Sequence, residues 1–232
     1  MNAAGDDARH IHFYSEEIPD LVARCATERP WHTFLDAGCG DGCLLYALGK
    51  QGLLQGKEAY AMDLSPTRVE RVRQLGLGVQ CIVGDVCDMH SIGDGTIDLL
   101  VTTQVIEHVV DDEKMVQEMS RVLRRGGSFY LNTVFKKWFG WYYHRCNGKW
   151  VIEPSHLREY TRDSQLLDLL SAYDLEVTES RKVPARYSIL DFILHRTGAS
   201  GWAYENRLFA LLRRIKIPIF GYYNWEMTGI RR

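Results

Sequence analysis

An α/β domain with a mostly parallel β-sheet and helices on both faces is the fold that this sequence predicts. Short apolar runs alternate with helical patterns from residue 33 to 134, and glycine or aspartate follows several of the apolar runs. Alternation of this kind is typical of parallel sheets covered by helices. The 232 residues are enough for one domain with a large core. We therefore expect a single domain spanning residues 1–232, opening with an N-terminal helical segment (1–30).

Five strands and three helices are predicted in the first part of the chain. The strands are expected at 33–37, 58–63, 79–85, 96–103 and 128–134. A helix follows the first strand in "GCLLYALGKQG", and a second has Ser65 as N-cap and Pro66 at its first position. A third helix, 111–125, is expected to begin at Asp111 and to end with Gly126 as its C-cap. Its apolar residues Met115, Met119, Val122 and Leu123 lie on one face, which is the amphipathic pattern of a helix.

The pattern after residue 134 is less regular. The segment "FKKWFGWYYHRCNGKW" (135–150) has seven aromatic and four basic residues and no acidic one. A helix with Thr161 as N-cap, a strand at 175–183, a helical insert at about 187–216 and an extended stretch at 219–230 are expected to follow. We assign 135–160 to a substrate lid and 161–232 to C-terminal helices and strands.

Composition excludes several functional classes. A formal net charge of −2 argues against a general nucleic-acid-binding protein, which needs a basic surface. No leader-like apolar run follows Met1, and no 18 apolar residues run together. The six cysteines form no Cys-x-x-Cys pair, so we expect reduced thiols and a cytoplasmic protein. The sequence does not specify an oligomeric state.

A glycine-rich loop and two aspartates follow successive strands. "FLDAGCGDG" places Gly38, Gly40 and Gly42 between the first strand and a helix, where glycine lets the backbone approach a ligand closely. The third glycine of a dinucleotide fingerprint is missing, because position 43 is cysteine. Asp63 ends the second strand and can accept hydrogen bonds from both ribose hydroxyls, while Asp85 after the third can accept from an adenine amine. Each aspartate alone is equally consistent with a local turn or helix cap.

An acid and an imidazole stand at the end of the fourth strand. In "TTQVIEHVV", Glu107 and His108 follow a buried apolar run. Ligands of open α/β sheets bind beyond the carboxyl ends of the strands, so this pair lies where a site is expected. His108 is suited to act as a base because its ordinary pKa is near neutrality. The alternative is that both side chains only cap the following helix.

Together these motifs resemble those of class I S-adenosylmethionine-dependent methyltransferases. The resemblance rests on "LDAGCGDG", Asp63, "GDV" (84–86), "IDLLVTTQVIEHV" and "RVLRRGGSFYLNTV", and covers about residues 31–134, the expected cofactor-binding core. It implies a Rossmann-like, seven-stranded, mostly parallel sheet whose last strand is antiparallel. It also implies S-adenosylmethionine as cofactor. The residues that it places around that cofactor are Asp36, Gly38, Cys39 and Gly40 at the methionine half, Asp63 and Leu64 at the ribose, Asp85 and Val86 at the adenine, and Gln104 near the sulfonium.

Within that class the pattern is similar to ubiquinone-type O-methyltransferases and to small-RNA 2′-O-methyltransferases. Both combine a Glu-x-x-Glu-His run with a later histidine, which resembles a divalent-metal site. Glu107, His108 and His156 match here, but Gln104 replaces the first glutamate. An amide oxygen binds hard cations without contributing charge, so a Mg²⁺, Mn²⁺ or Zn²⁺ site with these three ligands is expected to be weaker.

The expected function is O-methylation of a small hydrophobic or phenolic acceptor, with Glu107, His108 and His156 as candidate catalytic residues. N-methylation, sugar or polyketide methylation and RNA 2′-O-methylation remain alternatives. A nicotinamide-dependent oxidoreductase and a catalytically silent cofactor-binding subunit are rivals from other classes. Tryptophan beside lysine in 135–150 is also typical of membrane interfaces, so a peripheral membrane contact is an alternative to the lid.

Overall fold

The computed structural model describes residues 14–142, 144–146, 148–188, 212 and 215–232, and its centre is a seven-stranded sheet. The strand order is β3-β2-β1-β4-β5-β9-β8. Strands β1 to β5 pair in parallel, and β9 pairs antiparallel with both β5 and β8. The predicted fold class, including the antiparallel last strand, is therefore confirmed.

Five helices and nine strands make up the described part of the chain. The helices are α1 (Asp20–Glu28), α2 (Cys43–Lys50), α3 (Pro66–Gln74), α4 (Asp112–Val122) and α5 (Ser164–Ala172). The strands of the large sheet are β1 (Thr33–Ala37), β2 (Glu58–Asp63), β3 (Gln80–Val83), β4 (Ile97–Thr103), β5 (Leu123–Lys136), β8 (Leu175–Ser188) and β9 (Lys216–Arg231). A separate hairpin contains β6 (His144–Cys146) and β7 (Lys149–Val151).

The hydrophobic core lies on both faces of the sheet. Successive residues of β1 alternate between faces, so Phe34 belongs to one cluster and Leu35 to the other. One cluster includes Met115 and Met119 of α4 on the apolar stripe expected for that helix. With both faces covered, the ends of the strands are left as the place for polar groups.

The boundary between α4 and β5 differs from the prediction. The helix ends at Val122, and Leu123 is already extended and pairs with Ile97 of β4. Gly126 has a positive φ of 75° but lies inside β5, so it is not the helix C-cap. Burial of Leu123 in the sheet explains why the amphipathic pattern overestimates the helix.

Other boundaries shift by a few residues. The strand predicted at 79–85 is Gln80–Val83, and Asp163 rather than Thr161 is the N-cap of α5. The strands predicted at 175–183 and 219–230 are longer, because each extends the β8–β9 ladder as far as Ser188 and Lys216. The helical insert predicted at 187–216 is wrong at both ends, because Ser188 belongs to β8 and Lys216 to β9. Most of the residues between these ends lie outside the described part of the chain.

Among the described residues, no helix is both long and apolar enough to cross a membrane.

Candidate functional site

The glycine loop after β1 is folded tightly against the end of the sheet. Gly38, Gly40 and Gly42 all have positive φ values, of 81°, 53° and 80°. A Cβ atom added at Gly38 would lie 2.3 Å from Cγ2 of Val105, so only glycine allows the loop to pack there. The side chain of Cys39 packs in the core, so a ligand at this loop could contact only its backbone.

Asp63 joins this loop to the end of β2. One carboxylate oxygen accepts a hydrogen bond from the Gly40 N–H at 2.9 Å, and the other accepts from the Ser65 N–H at 2.9 Å. The alternative of a purely local role is thus partly correct, because Asp63 does form a turn before the Ser65 cap of α3. The same two bonds hold the carboxylate at the sheet edge, where the resemblance places a ribose.

Asp36 is a buried carboxyl group beneath the loop. Burial, followed by the nearby negative charge of Asp63, raises the Asp36 pKa to about 7. A bound cation would relieve this cost. The position therefore suits the positively charged methionine half of the cofactor, as the resemblance implies.

The expected adenine side is more open. Val86 is buried, whereas Asp85 is exposed and Leu64 is 67% exposed. An Asp85 carboxylate oxygen accepts a hydrogen bond from the Cys87 N–H at 2.8 Å, which closes a local turn. These residues flank the same edge, and their contacts with adenine stay a prediction.

Gln104 directly precedes the turn that carries the acid and the imidazole. Its φ is 55°, which is unusual for a residue other than glycine and marks a constrained position. Its N–H donates to the Asn132 carbonyl at 2.9 Å, and its side-chain amide contacts the Asn132 side chain. Gln104 is thus held by β5.

Glu107 is fully buried at the end of this turn. One carboxylate oxygen accepts a hydrogen bond from the Thr133 hydroxyl at 2.9 Å. The other, Oε1, has no hydrogen-bond partner among the described residues. Burial raises the Glu107 pKa to about 7. An unsatisfied buried oxygen in a native site usually indicates a ligand, an ion or a water.

His108 and His156 face each other beside Glu107. Their ring centroids are 4.8 Å apart in an edge-to-face arrangement. Burial, and then the charge on His156, lowers the pKa of His108, so its ring is neutral at neutral pH and can accept a proton. The structure thus brings the downstream histidine back to the edge where the sequence predicts it.

Arg158 and Thr133 support the turn, and sequence reasoning missed both. The Arg158 guanidinium donates to the backbone carbonyls of Ile106, Val109 and Val110 at 2.8, 2.6 and 2.8 Å. Polar residues in "HLREYTR" and at the carboxyl end of β5 were visible signals. Their partners could not be identified because the contacts join segments 26 to 52 residues apart.

The segment expected to be a lid presents an aromatic ridge, which consists of Trp138, Phe139, Trp141 and Phe220. Trp138 is 91% exposed and Phe220 is 68% exposed. The loop is braced against β9, since the Lys137 N–H donates to the Gly221 carbonyl at 2.8 Å. The ridge is therefore an exposed apolar surface on an ordered backbone.

A divalent cation fits the chemistry of the acid–imidazole cluster. Glu107, His108 and His156 each offer one ligand atom, and these atoms lie within 4.8 Å of one another. Ligands of a 2.0–2.2 Å site must be closer than about 4.4 Å, so small side-chain movements would complete it. Oε1 of Glu107, which has no hydrogen-bond partner among the described residues, would be available as a ligand atom.

Comparison with known proteins agrees with the geometry. Residues 35–131 match the protein family described as "Methyltransferase domain". A probable S-adenosylmethionine-dependent methyltransferase of Mycobacterium tuberculosis is 28% identical over 172 residues, which cover 73% of this chain and 55% of that protein. A ubiquinone biosynthesis O-methyltransferase of Xanthomonas oryzae pv. oryzae is 31% identical over 104 residues, 43% of this chain and 42% of that protein.

A solved structure supports the fold. The crystal structure of the [4+2]-cyclase SpnF superposes with a TM-score of 0.64 at 18% identity, covering 91% of this chain and 79% of that one. The aligned part of this chain spans only about half the length of the Mycobacterium and Xanthomonas relatives, or 55% and 42%.

Proposed function

We propose that this chain, a member of the class I S-adenosylmethionine-dependent methyltransferases, methylates a hydroxyl group. The acceptor would be a small hydrophobic or phenolic molecule. One observation carries the proposal. Gly38 of the glycine loop packs directly against Val105, which begins the turn bearing Glu107 and His108. The place expected for the cofactor and the candidate base are therefore neighbours at the same edge of the sheet.

The cofactor would be held by three consecutive loops. The backbone around Gly38 and Gly40 and the Asp36 carboxylate suit the methionine half, Asp63 suits the ribose, and Val86 suits the adenine. When bound, S-adenosylmethionine supplies a methyl carbon that is already activated for in-line attack. The protein then has to orient the acceptor and remove its proton.

His108 is the residue best placed to take that proton. Its lowered pKa keeps the ring neutral at neutral pH, which leaves a lone pair available. Arg158 fixes the carbonyls on either side of His108, so the ring is carried by a braced turn. The acceptor hydroxyl would transfer its proton to His108 while the new oxygen–carbon bond forms.

The test is a His108→Gln variant in a radiolabelled methyl-transfer assay over a panel of phenolic and catecholic acceptors. We expect kcat to fall by about 10² to 10⁴ with unchanged cofactor affinity, as is typical for loss of a general base. His90→Gln is the matched control, because the His90 side chain is 82% exposed. Unchanged turnover in His108→Gln would refute the assignment.

Calorimetry separates the cofactor classes. We expect binding of S-adenosylhomocysteine and no binding of NAD. The opposite result would favour an oxidoreductase.

A metal-assisted version of the reaction is the second candidate, favoured by the unpartnered Glu107 Oε1. Glu107, His108 and His156 would hold a divalent cation, which supplies Lewis acidity that lowers the pKa of a bound acceptor hydroxyl. The test is metal analysis of the purified protein together with activity assays. Activity is measured after exhaustive chelation and again after adding magnesium, manganese or zinc. Full activity without metal, and no stimulation by any of the three, would leave His108 as the base.

We also propose that the aromatic ridge contacts a membrane surface from which a hydrophobic acceptor is taken. Exposed tryptophan near lysine is a composition suited to the lipid interface. Co-sedimentation with anionic and neutral liposomes tests this, comparing the native chain with Trp138→Ala. Equal partitioning of both proteins, or no binding by either, would remove the membrane contact and leave the ridge as a lid.

A further inference from the structure

A second buried carboxylate lies behind the acid–imidazole cluster. The side chain of Glu159 is only 7% exposed, and its Oε1 lies 3.4 Å from Nδ1 of His156. His156 itself has a side chain only 2% exposed. A charged group this deep in the protein needs specific partners.

Two of the three partners of Glu159 come from the segment expected to cover the substrate, and the third, Tyr222, belongs to β9. Oε1 of Glu159 accepts a hydrogen bond from the Ile152 N–H at 2.7 Å. Its Oε2 lies 3.3 Å from the Tyr222 hydroxyl and 3.6 Å from the Lys136 ammonium. The Lys136 ammonium in turn contacts the Trp150 carbonyl, so Glu159 ties the hairpin β6–β7 and β9 to His156.

These contacts bear on which nitrogen of His156 carries the proton. The Glu159 oxygen that faces Nδ1 is the one that accepts the Ile152 N–H, so it is an acceptor and the nitrogen opposite it must carry the proton. Glu153 competes for the other nitrogen, but its Oε2 is 3.7 Å from Nε2, beyond hydrogen-bonding distance, and its side chain is 55% exposed. The shorter contact belongs to the buried carboxylate.

We infer that Glu159 is a positioning residue that holds His156 in the Nδ1–H tautomer, leaves the lone pair on Nε2, and couples the orientation of the ring to the lid. A carboxylate that orients a histidine in this way typically changes activity or metal affinity by about 10- to 100-fold when it is lost. The effect on catalysis rests on the proposed function, whereas the tautomer does not.

The direct test is the tautomer of His156 in ¹⁵N-labelled protein, read from long-range ¹H–¹⁵N correlation spectra at a pH where the ring is neutral. We expect Nδ1–H in the native chain and in Glu153→Gln. In Glu159→Leu no acceptor faces Nδ1, so the population should shift toward Nε2–H, whereas Glu159→Gln keeps an oxygen for the Ile152 N–H and should retain Nδ1–H. A native Nε2–H tautomer, or a Glu159→Leu spectrum identical to that of the native chain, would overturn the inference.

The second arm measures methyl transfer. We expect Glu159→Leu to lower kcat by about 10- to 100-fold while the KM for S-adenosylmethionine stays the same, because Glu159 acts through His156 and not on the cofactor. A tautomer shift without any detectable transfer in the native chain would mean that the proposed function is wrong and the positioning role right. A normal kcat together with a shifted tautomer would refute the catalytic part alone.

Discussion

Replacing Asp36 by asparagine should stabilise the protein without its cofactor. The Asp36 pKa is raised from 3.8 to about 7, mainly by burial. The folded state therefore binds a proton more tightly than the unfolded state between these values, and stability falls as pH rises through that window. At about 1.4 kcal/mol per tenfold change, the buried charge costs about 4 kcal/mol above pH 7 and nothing below pH 4.

Urea denaturation of the native chain and of Asp36→Asn at pH 5 and pH 8 measures this difference. We expect the variant to gain up to about 4 kcal/mol in free energy of unfolding at pH 8 and much less at pH 5. Asp98→Asn is the matched control at the opposite edge of the sheet. Burial opposes ionisation there, but hydrogen bonds from the Thr33 and His32 N–H groups lower the Asp98 pKa, so its replacement should destabilise.

Cofactor binding should reverse the preference of Asp36. A cationic methionine half favours the ionised carboxylate, so binding below pH 7 should release a proton, detected by calorimetry in two buffers of different ionisation enthalpy. Asp36→Asn should bind more weakly and release none. A variant that is less stable than the native chain at pH 8, or that still releases the proton, would contradict the reasoning.

Two further changes test the packing of Gly38 and the hydrogen bond from Thr133 to Glu107. Gly38→Ala should lose at least about 2 kcal/mol in free energy of unfolding and most of its cofactor affinity, because alanine adds left-handed backbone strain and a clash with Val105. Gly76→Ala is the control: it adds the same strain where no atom is close, so it should lose only about 1 kcal/mol and retain its cofactor affinity. Thr133→Val should cost about 1–3 kcal/mol by leaving a second Glu107 oxygen unpaired, and Thr133→Ser should restore it. Chemical denaturation with calorimetry checks both, and a tolerated Gly38→Ala would contradict the close packing.

Local signals predicted the parallel half of the fold well. Strands β1 and β2 have the predicted bounds, and Ser65 caps α3 through a hydrogen bond to the Arg68 N–H. Each of these features depends on neighbours within a few residues. The start of β5 was missed because Leu123 is extended only through its pairing with Ile97, which an amphipathic pattern cannot reveal.

The location of the candidate site could be predicted from the sequence, but most of its side-chain contacts could not. Chain order put Glu107, His108 and Asp63 at one sheet edge, and the structure brings His156 to the first two. The contacts of Arg158 and Glu159 with this region depend on how the segment after β5 folds back. Sequence periodicity carries no signal for such long-range polar pairs, because it records burial and not the identity of the partner.

The sheet has two parts that meet where β5 pairs with β9, a parallel part and an antiparallel part. The loops assigned to the cofactor follow strands on one side of β5, whereas the ridge and the hairpin β6–β7 are braced by β9 on the other side. On the proposed role of the ridge as a cover for the acceptor, changes in the second half would alter which molecule is accepted while the first half keeps its shape. Diversity of acceptors among proteins of this architecture would then arise by exchanging the antiparallel flank alone, with the parallel flank inherited intact.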